Sequence, residues 1–521
     1  MGKKVLAAKS GRAVCPNAAA GGGIGAKNAK DAKSFLTGLT GLGENLDNPV
    51  NPVKTKPSGI PWIGDVPVGW EVRRLKDILA RPLQYGASES GIAYDEALPR
   101  YIRITDITLD GRLKDKGVLS LTEESASDYI LQDQDILLAR SGATVGKAFL
   151  YEKQMGRAAF AGYLIRATVD VTNALPRFVY YTTLGCGYDD WRNSIAVSAT
   201  IQNIGADKYN NYSLPMPPLT VQRAIAAYLD EKCGAIDTAV AEAKKGIDEY
   251  KAWKKSLIFE VVTGKRRVGF FNAESQRSRE AESFSTGLTR FTGWGENLDN
   301  PVNLVKTKPS GIPWIGDVPV GWEVSRVKHH YELILGKMLC ATSNNDANVR
   351  LPYVCAANVH FEGVALRDLK EMWFSTIEVK QYAIREGDLL VVEGGAGAGG
   401  AAICPRIDGV VGIQNSIILV RNKRCRDNRY LRYLLEALVK NGYVDFVCNK
   451  ATIPHFTKDK LGNVPLPLPP LSEQQAIAAY LDEKCAAIDA MIAEKEALIA
   501  DLEAYKKSLI FEVVTGKREV A

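Results

Sequence analysis

The chain has 521 residues, 46% hydrophobic and 24% charged, ordinary proportions for a globular protein and enough apolar material for two large domains. No apolar run approaches the length of a membrane-spanning helix, the N-terminus lacks the apolar core of a signal peptide, and nine cysteines without a CxxC pair argue against a disulfide scaffold or zinc site, so a cytoplasmic protein with no membrane contact is expected. The net charge of +6 says little about the folded part, because residues 1–33 carry seven Lys or Arg against Asp31 and leave the remainder near neutral.

In chain order, residues 1–53 form a basic extension rich in Ala, Gly and Lys, without helical or strand periodicity. Disorder is expected there, serving as a solubilising tail or a loose electrostatic contact with DNA. At 54–72 the sequence reads KTKPSGIPWIGDVPVGWEV, and it reads the same at 306–324, an offset of 252. The same offset relates LPMPPL (214–219) to LPLPPL (466–471), AIAAYLDEKC (224–233) to 476–485, and KKSLIFEVVTGKR (254–266) to 506–518. One design is therefore present twice. A first domain over 54–213 leads into a proline segment and helix over 214–266. A linker at 267–305, which includes the polar run NAESQRSREAES, leads to a second domain over 306–465 and a second proline segment and helix over 466–521.

The middles, 73–213 and 325–465, differ at most positions but keep anchors in register. Tyr101 and Gly111 match Tyr353 and Gly363, ATIQNI (199–204) faces ATIPHF (451–456), and DILLARSGATVG matches DLLVVEGGAGAG after a one-residue slip. Short runs such as YIRIT, DILLAR, YLIRA, LLVVE and SIILVR read as strands, whereas RYLRYLLEALV (429–439) has helical spacing. Each middle is expected to be a mixed α/β globule, one fold with two surfaces. The first holds 17 basic and 17 acidic residues and the second 19 and 14, a net of +5.

After each proline segment an apolar seam repeats with steps of three and four, or a full seven. It runs through Leu229, Cys233, Ile236, Val240, Ile247, Tyr250 and Leu257, and again through Leu481, Cys485, Ile488, Ile492, Ile499, Leu502 and Leu509. Thr220 or Ser472 can cap such a helix, Ser472 with Gln475 has capping-box spacing, and Gly264 and Gly516 stand where a stop belongs. About forty residues make a rod of about 60 Å. Two such seams suit helices that pack on each other; the alternative is that each lies along its own globule. Cys233 and Cys485 then read as small buried hydrophobes.

Chemistry is hard to find. LLVVEGGAGAGG (389–400) is a strand followed by glycines, but a cofactor turn must open a helix, and Pro405 and Gly409 oppose one. Gly142 and Gly146 are too closely spaced for a phosphate loop, and Ala148 stands where Ser or Thr is required. No HExxH, GxSxG or amino-methylating NPPY or DPPY segment is present. The expectation is a chain that is not an enzyme and holds no cofactor or metal.

Two variable domains, each opened by SGIPWIGDVPVGWEV and closed by LPxPPLxxQxAIAAYLDEKCxxID, resemble the specificity subunit of type I restriction-modification systems over about residues 54–518. That resemblance implies an α+β fold of two target recognition domains separated by two long helices in an antiparallel coiled coil, a pseudo-twofold internal repeat. It implies that each domain reads one half of a split target in double-stranded DNA. The partners implied are two modification (methyltransferase) subunits, which bind S-adenosylmethionine, and restriction subunits, which are ATP-dependent nucleases and translocases. The competing reading is a self-contained DNA methyltransferase with a diverged cofactor motif around Gly394 to Gly400. Candidate DNA contacts are polar residues beside glycine turns at strand ends. In the first domain they are Arg103, Thr105, Arg140, Ser141, Thr144, Lys147, Gln202 and Asn203; in the second, Asn358, His360, Glu393, Gln414, Asn415 and His455. Any one of them could instead be a surface or structural residue, since most contacts in such interfaces go to phosphates. Arg140 and Glu393 occupy matched positions with opposite charge, as two readers preferring different bases would.

Overall fold

A computed structural model describes residues 54–108, 111–196, 203–268, 306–343, 345–423, 426–448 and 454–520. The basic tail, nearly all of the 267–305 linker and Gln202 lie outside these residues. The contacts divide the chain into two units, one running to Lys245 and taking in Glu494–Ala521, the other Gly246–Ala493. The two long helices, Leu219–Val262 and Leu471–Val514, each supply residues to both units.

Each unit is built on a four-stranded antiparallel sheet. In the first unit the order is Gln84–Tyr85, Leu164–Ala167, Ile136–Ala139, Ala148–Leu150. In the second it is Tyr331–Leu335, Ile417–Asn422, Leu389–Val392, Ala401–Ile403. The central strands Ile136–Ala139 and Leu389–Val392 are apolar at every position because both faces are covered, while their central neighbours are apolar but for Arg166, Arg421 and Asn422. Alternation then sorts their side chains into two cores: Ile136, Leu138 and Ile165 on one side, Leu137, Ala139 and Leu164 on the other. Leu389, Val391 and Ile418 part from Leu390, Val392 and Leu419 in the same way. A parallel pairing completes each globule, Arg100–Ile102 with Ala158–Phe160 and Val349–Val354 with Gly412–Ile413.

The repeated blocks close each domain on itself. Glu71–Arg74, from the opening segment, pairs antiparallel with Ser213–Met216 of the proline segment, and Glu323–Arg326 pairs likewise with Pro465–Leu468. These are two-stranded ribbons, which tolerate proline because no further strand needs its missing N–H.

A helix of each globule is then fastened to the long helix that follows it. Buried Gln222 donates from Nε2 to the Pro217 carbonyl at 2.8 Å and accepts from the Leu175 amide at 2.7 Å. Gln474 does the same with the Pro469 carbonyl at 2.8 Å and the Asp427 amide at 3.2 Å. About two turns on, Asp230 receives Arg177 Nε at 2.7 Å and the Tyr181 hydroxyl at 2.5 Å. Its repeat, Asp482, receives Arg429 at 3.0 Å and the Tyr433 hydroxyl at 2.8 Å. Burial, and then donation to a carboxylate, holds both phenols protonated well beyond their ordinary range.

The seam residues also settle within each unit. In the first unit Leu229, Cys233, Ile236 and Val240 share a core with Leu502 and Leu509; in the second, Leu257 and Ile258 share one with Leu481, Cys485 and Ile488. Asp237 meets Lys506 and Lys244 meets Glu503 in the first unit, so the helix portions there run antiparallel. The repeat-related pair Lys254 and Asp489 lies at the same 2.7 Å in the second. Burial pushes the thiols of Cys233 and Cys485 up to about 11, which leaves them inert.

Two details differ from the sequence expectation. Both helices begin one residue earlier, at Leu219 and Leu471, so Thr220 and Ser472 fall inside the first turn, and the side chains that answer to the proline segment are Gln222 and Gln474. The glycine stops also serve the other repeat's globule. Gly516 has φ +70°, and a Cβ there would sit 2.5 Å from Pro67; Gly264, φ +76°, stands in the same relation to Pro319. Removing the amide of Gln474 orphans the Asp427 N–H and the Pro469 carbonyl, so Gln474→Ala is expected to destabilise its unit by about 1–3 kcal/mol, read as an earlier urea transition.

Candidate nucleic-acid interface

The strand Ile136–Ala139 runs out at Arg140, and the backbone fixes that residue from both sides. The Arg140 amide donates to the Tyr163 carbonyl at 2.9 Å, and its own carbonyl accepts from the Ile204 amide at 2.9 Å. Ser141 forms a β-bridge with Asn203. The Arg140 side chain donates from Nε to Asn203 Oδ1 at 3.3 Å and lies over the Tyr85 ring, 5.1 Å from its centroid. Tyr85 is held in turn, its hydroxyl accepting from the Ala206 amide at 3.0 Å, while Tyr163 is 62% exposed. Arg140 is thus a propped guanidinium at the domain surface, set over the partly exposed ring of Tyr85.

The second unit builds the same place with other side chains. The strand Leu389–Val392 ends at Glu393, whose amide donates to the Ser416 carbonyl at 2.8 Å and whose carbonyl accepts from Phe456 at 2.6 Å. Gly394 bridges His455 as Ser141 bridges Asn203. The His455 ring, 61% exposed, has Nδ1 at 3.6 Å from Glu393 Oε2. Allowing the one-residue slip, Arg140 with Asn203 and Glu393 with His455 are one location filled by a donor cluster in the first unit and a carboxylate in the second.

Other predicted residues fall around these centres or away from them. Ser141, Thr144 and Lys147 line the turn after Arg140 and are half-buried. Gln414 Nε2 donates to Asn415 Oδ1 at 2.8 Å and Gln414 Oε1 accepts from Ser416 Oγ at 2.6 Å, a polar ladder next to the residue that holds Glu393. Arg103 is committed inside its domain: it forks onto Asp106 at 2.8 and 3.0 Å and reaches the Gly117 carbonyl at 2.8 Å. Asn358, the repeat-equivalent of Asp106, likewise accepts from the Cys355 amide at 3.0 Å. Thr105 and His360 are exposed, and Nε2 of His360 donates to the Ala357 carbonyl at 3.1 Å. Gln202 lies outside the described residues.

Sequence reasoning overlooked Tyr85 and Tyr163, and also the glycines that let the chain pass beneath the site. A Cβ on Gly86 would lie 2.4 Å from the Ala161 carbonyl oxygen, and one on Gly336 2.3 Å from that of Gln414. The only sequence signal was a glycine following a strand in both repeats. The glycine run 394–400 leads into the strand Ala401–Ile403 and opens no helix, so its topology is not that of a dinucleotide or S-adenosylmethionine turn.

The comparisons agree with the duplication. The family model of the type I restriction modification DNA specificity domain matches residues 67–239 and again 319–500. The chain is 24% identical over 474 residues to the putative type I restriction enzyme MjaX specificity subunit of Methanocaldococcus jannaschii, covering 88% of this chain and 96% of that one. It is 26% identical over 230 residues to the type I restriction enzyme EcoKI specificity subunit of Escherichia coli, covering 41% of this chain and 47% of that one. A solved chain from work on complex assembly and conformational transition of the type I R-M system superposes with a TM-score of 0.60 at 16% identity, over 87% of this chain and 99% of its own. That likeness is one of fold.

Because Arg103 is spent on Asp106, Arg103→Ala is expected to lower the stability of its unit by about 1–3 kcal/mol without altering which DNA is bound. Thermal unfolding and DNA binding measured on the same preparation separate the two effects.

Proposed function

This chain belongs to the family of type I restriction-modification DNA specificity proteins, and we propose that each of its two globules reads one half of a bipartite sequence in double-stranded DNA. Proteins of this family confer DNA specificity and catalyse nothing themselves; methylation and cleavage fall to other subunits. The observation that supports two independent readers is the matched strand end, rigid in backbone and opposite in chemistry. Arg140 can donate two hydrogen bonds to guanine, whereas the acceptor-only Glu393 suits the amino group of cytosine. Ser141, Thr144, Lys147 and Asn203 would support the first reader, and Gln414, Asn415 and His455 the second.

Around this reading the domain limits are 54–213 and 306–465, with helices over 214–266 and 466–521. We take the helices to form an antiparallel coiled coil with pseudo-twofold symmetry, supported by the pairs Asp237 with Lys506 and Asp489 with Lys254. The identical opening segments and helix ends would dock two modification subunits, and restriction subunits would join that complex in the cytoplasm. A methyltransferase reading finds no support, since its one cofactor-like segment folds as a strand connection.

The test is a reciprocal exchange. Methylated sites are mapped in DNA from cells making the protein with its modification partner, then for Arg140→Glu and Glu393→Arg. Each variant is expected to change one base in one half-site, at a cost of about 1–3 kcal/mol for the original base. A uniform loss over all sequences would mark a phosphate contact instead.

Inserting four helix-forming residues directly after Thr220 parts Gln222 from the Pro217 carbonyl but leaves Asp230 on Arg177 and Tyr181, so the globule stays fastened to the same stretch of helix. The gap between half-sites is then expected to stay unchanged in the same methylation map, while the first unit unfolds at lower urea for the lost Gln222 bond.

A further inference from the structure

Among the described residues, the second unit displays two consecutive apolar side chains that are largely exposed: Met338 is 75% exposed and Leu339 60%. They are not on a loose loop. The Lys337 amide donates to the Ile413 carbonyl at 3.0 Å, its carbonyl accepts from Asn415 at 2.8 Å, and on the far side the Cys340 carbonyl accepts from Trp373 at 3.0 Å. Gly336 lets the chain press against Gln414, whose ladder through Ser416 reaches the amide of Glu393. Two greasy side chains are thus held out rigidly beside the polar centre of the second reader.

The first unit shows what they are not for. Gly86 presses on Ala161 as Gly336 does on Gln414, and Ala87 bridges Ala161 as Lys337 bridges Gln414. The residues that follow, in the places of Met338 and Leu339, are Ser88 and Glu89, both exposed. A protein partner docking equivalently on both repeats would meet the same residues twice, as it would on the unchanged opening segments. A surface apolar in one unit and acidic in the other serves what differs between them, which on the reading above is the DNA half-site.

On the major-groove edge of a duplex the distinctive apolar group is the C5-methyl of thymine. Resting on that proposed function, we infer that Met338 and Leu339 pack against a thymine methyl in or beside the second half-site and so specify a base that Glu393 does not touch. The domain's net charge of +5 would hold the backbone close enough for this contact.

The test uses the complex with the modification partner and the mapped target. Each thymine of both half-sites and their flanks is replaced singly by deoxyuridine, which removes only the methyl group. Binding is expected to weaken about fourfold, the effect of one methyl-sized group, at one position on the second side and at none on the first. Met338→Ala with Leu339→Ala should bind the thymine and uracil duplexes alike. So should Met338→Ser with Leu339→Glu, which copies residues the first unit already accommodates. If no single thymine matters, if the uracil and protein effects multiply independently, or if the variants lose the modification subunit and keep DNA contact, the inference is overturned. A methylated sequence that is not bipartite would overturn the function itself.

Discussion

The fastening of each globule to its long helix is the contact on which the rest depends, and it is polar and buried. A glutamine amide bridges the proline segment to the start of a domain helix, and an Arg, Tyr and Asp cluster locks the helix about two turns further on. Such groups are costly to leave unsatisfied, so they permit one orientation where an apolar contact would tolerate several. The apolar seams supply the greater part of the stabilisation. The partly exposed ion pairs between helix portions add about a few tenths of a kcal/mol each and act mainly on register.

A frame held in this way frees the reading surface to change. Arg140 and Glu393 are positioned by main-chain bonds to carbonyls and amides that any residue provides, so the backbone there keeps its place whichever side chain it carries. The same holds for Met338 and Leu339 against Ser88 and Glu89. Residues that stay constant are those whose side chains make the structure, such as Gln222, Asp230 and Gly516 with their repeats. Identity between the copies therefore marks the frame, and difference marks the surface whose side chains the frame does not use.

Several features were open in the sequence because they depend on local spacing. Short β-rich runs between Gly, Asp and Asn marked the strands, spacing of three to four marked the Asn428–Lys440 helix and both long helices, and the glycine stops followed from backbone stereochemistry. The exact repeats gave two domains, and the motif order gave the family. At the site, the one-residue slip correctly aligned Arg140 with Glu393.

What sequence could not decide was which distant groups would meet. Arg103 looked as available as Arg140, yet one is spent on Asp106 and the other rests on Tyr85 beside Asn203, because strand pairing across about sixty residues sets those neighbours. The capping side chains were misplaced because Gln222 and Gln474 take partners from separate elements. That each helix end closes on the other repeat's opening segment, Gly516 against Pro67 and Gly264 against Pro319, was likewise hidden. Two identical copies offer each block two equal partners, and only three-dimensional packing, which buries both helix seams at once, selects between them.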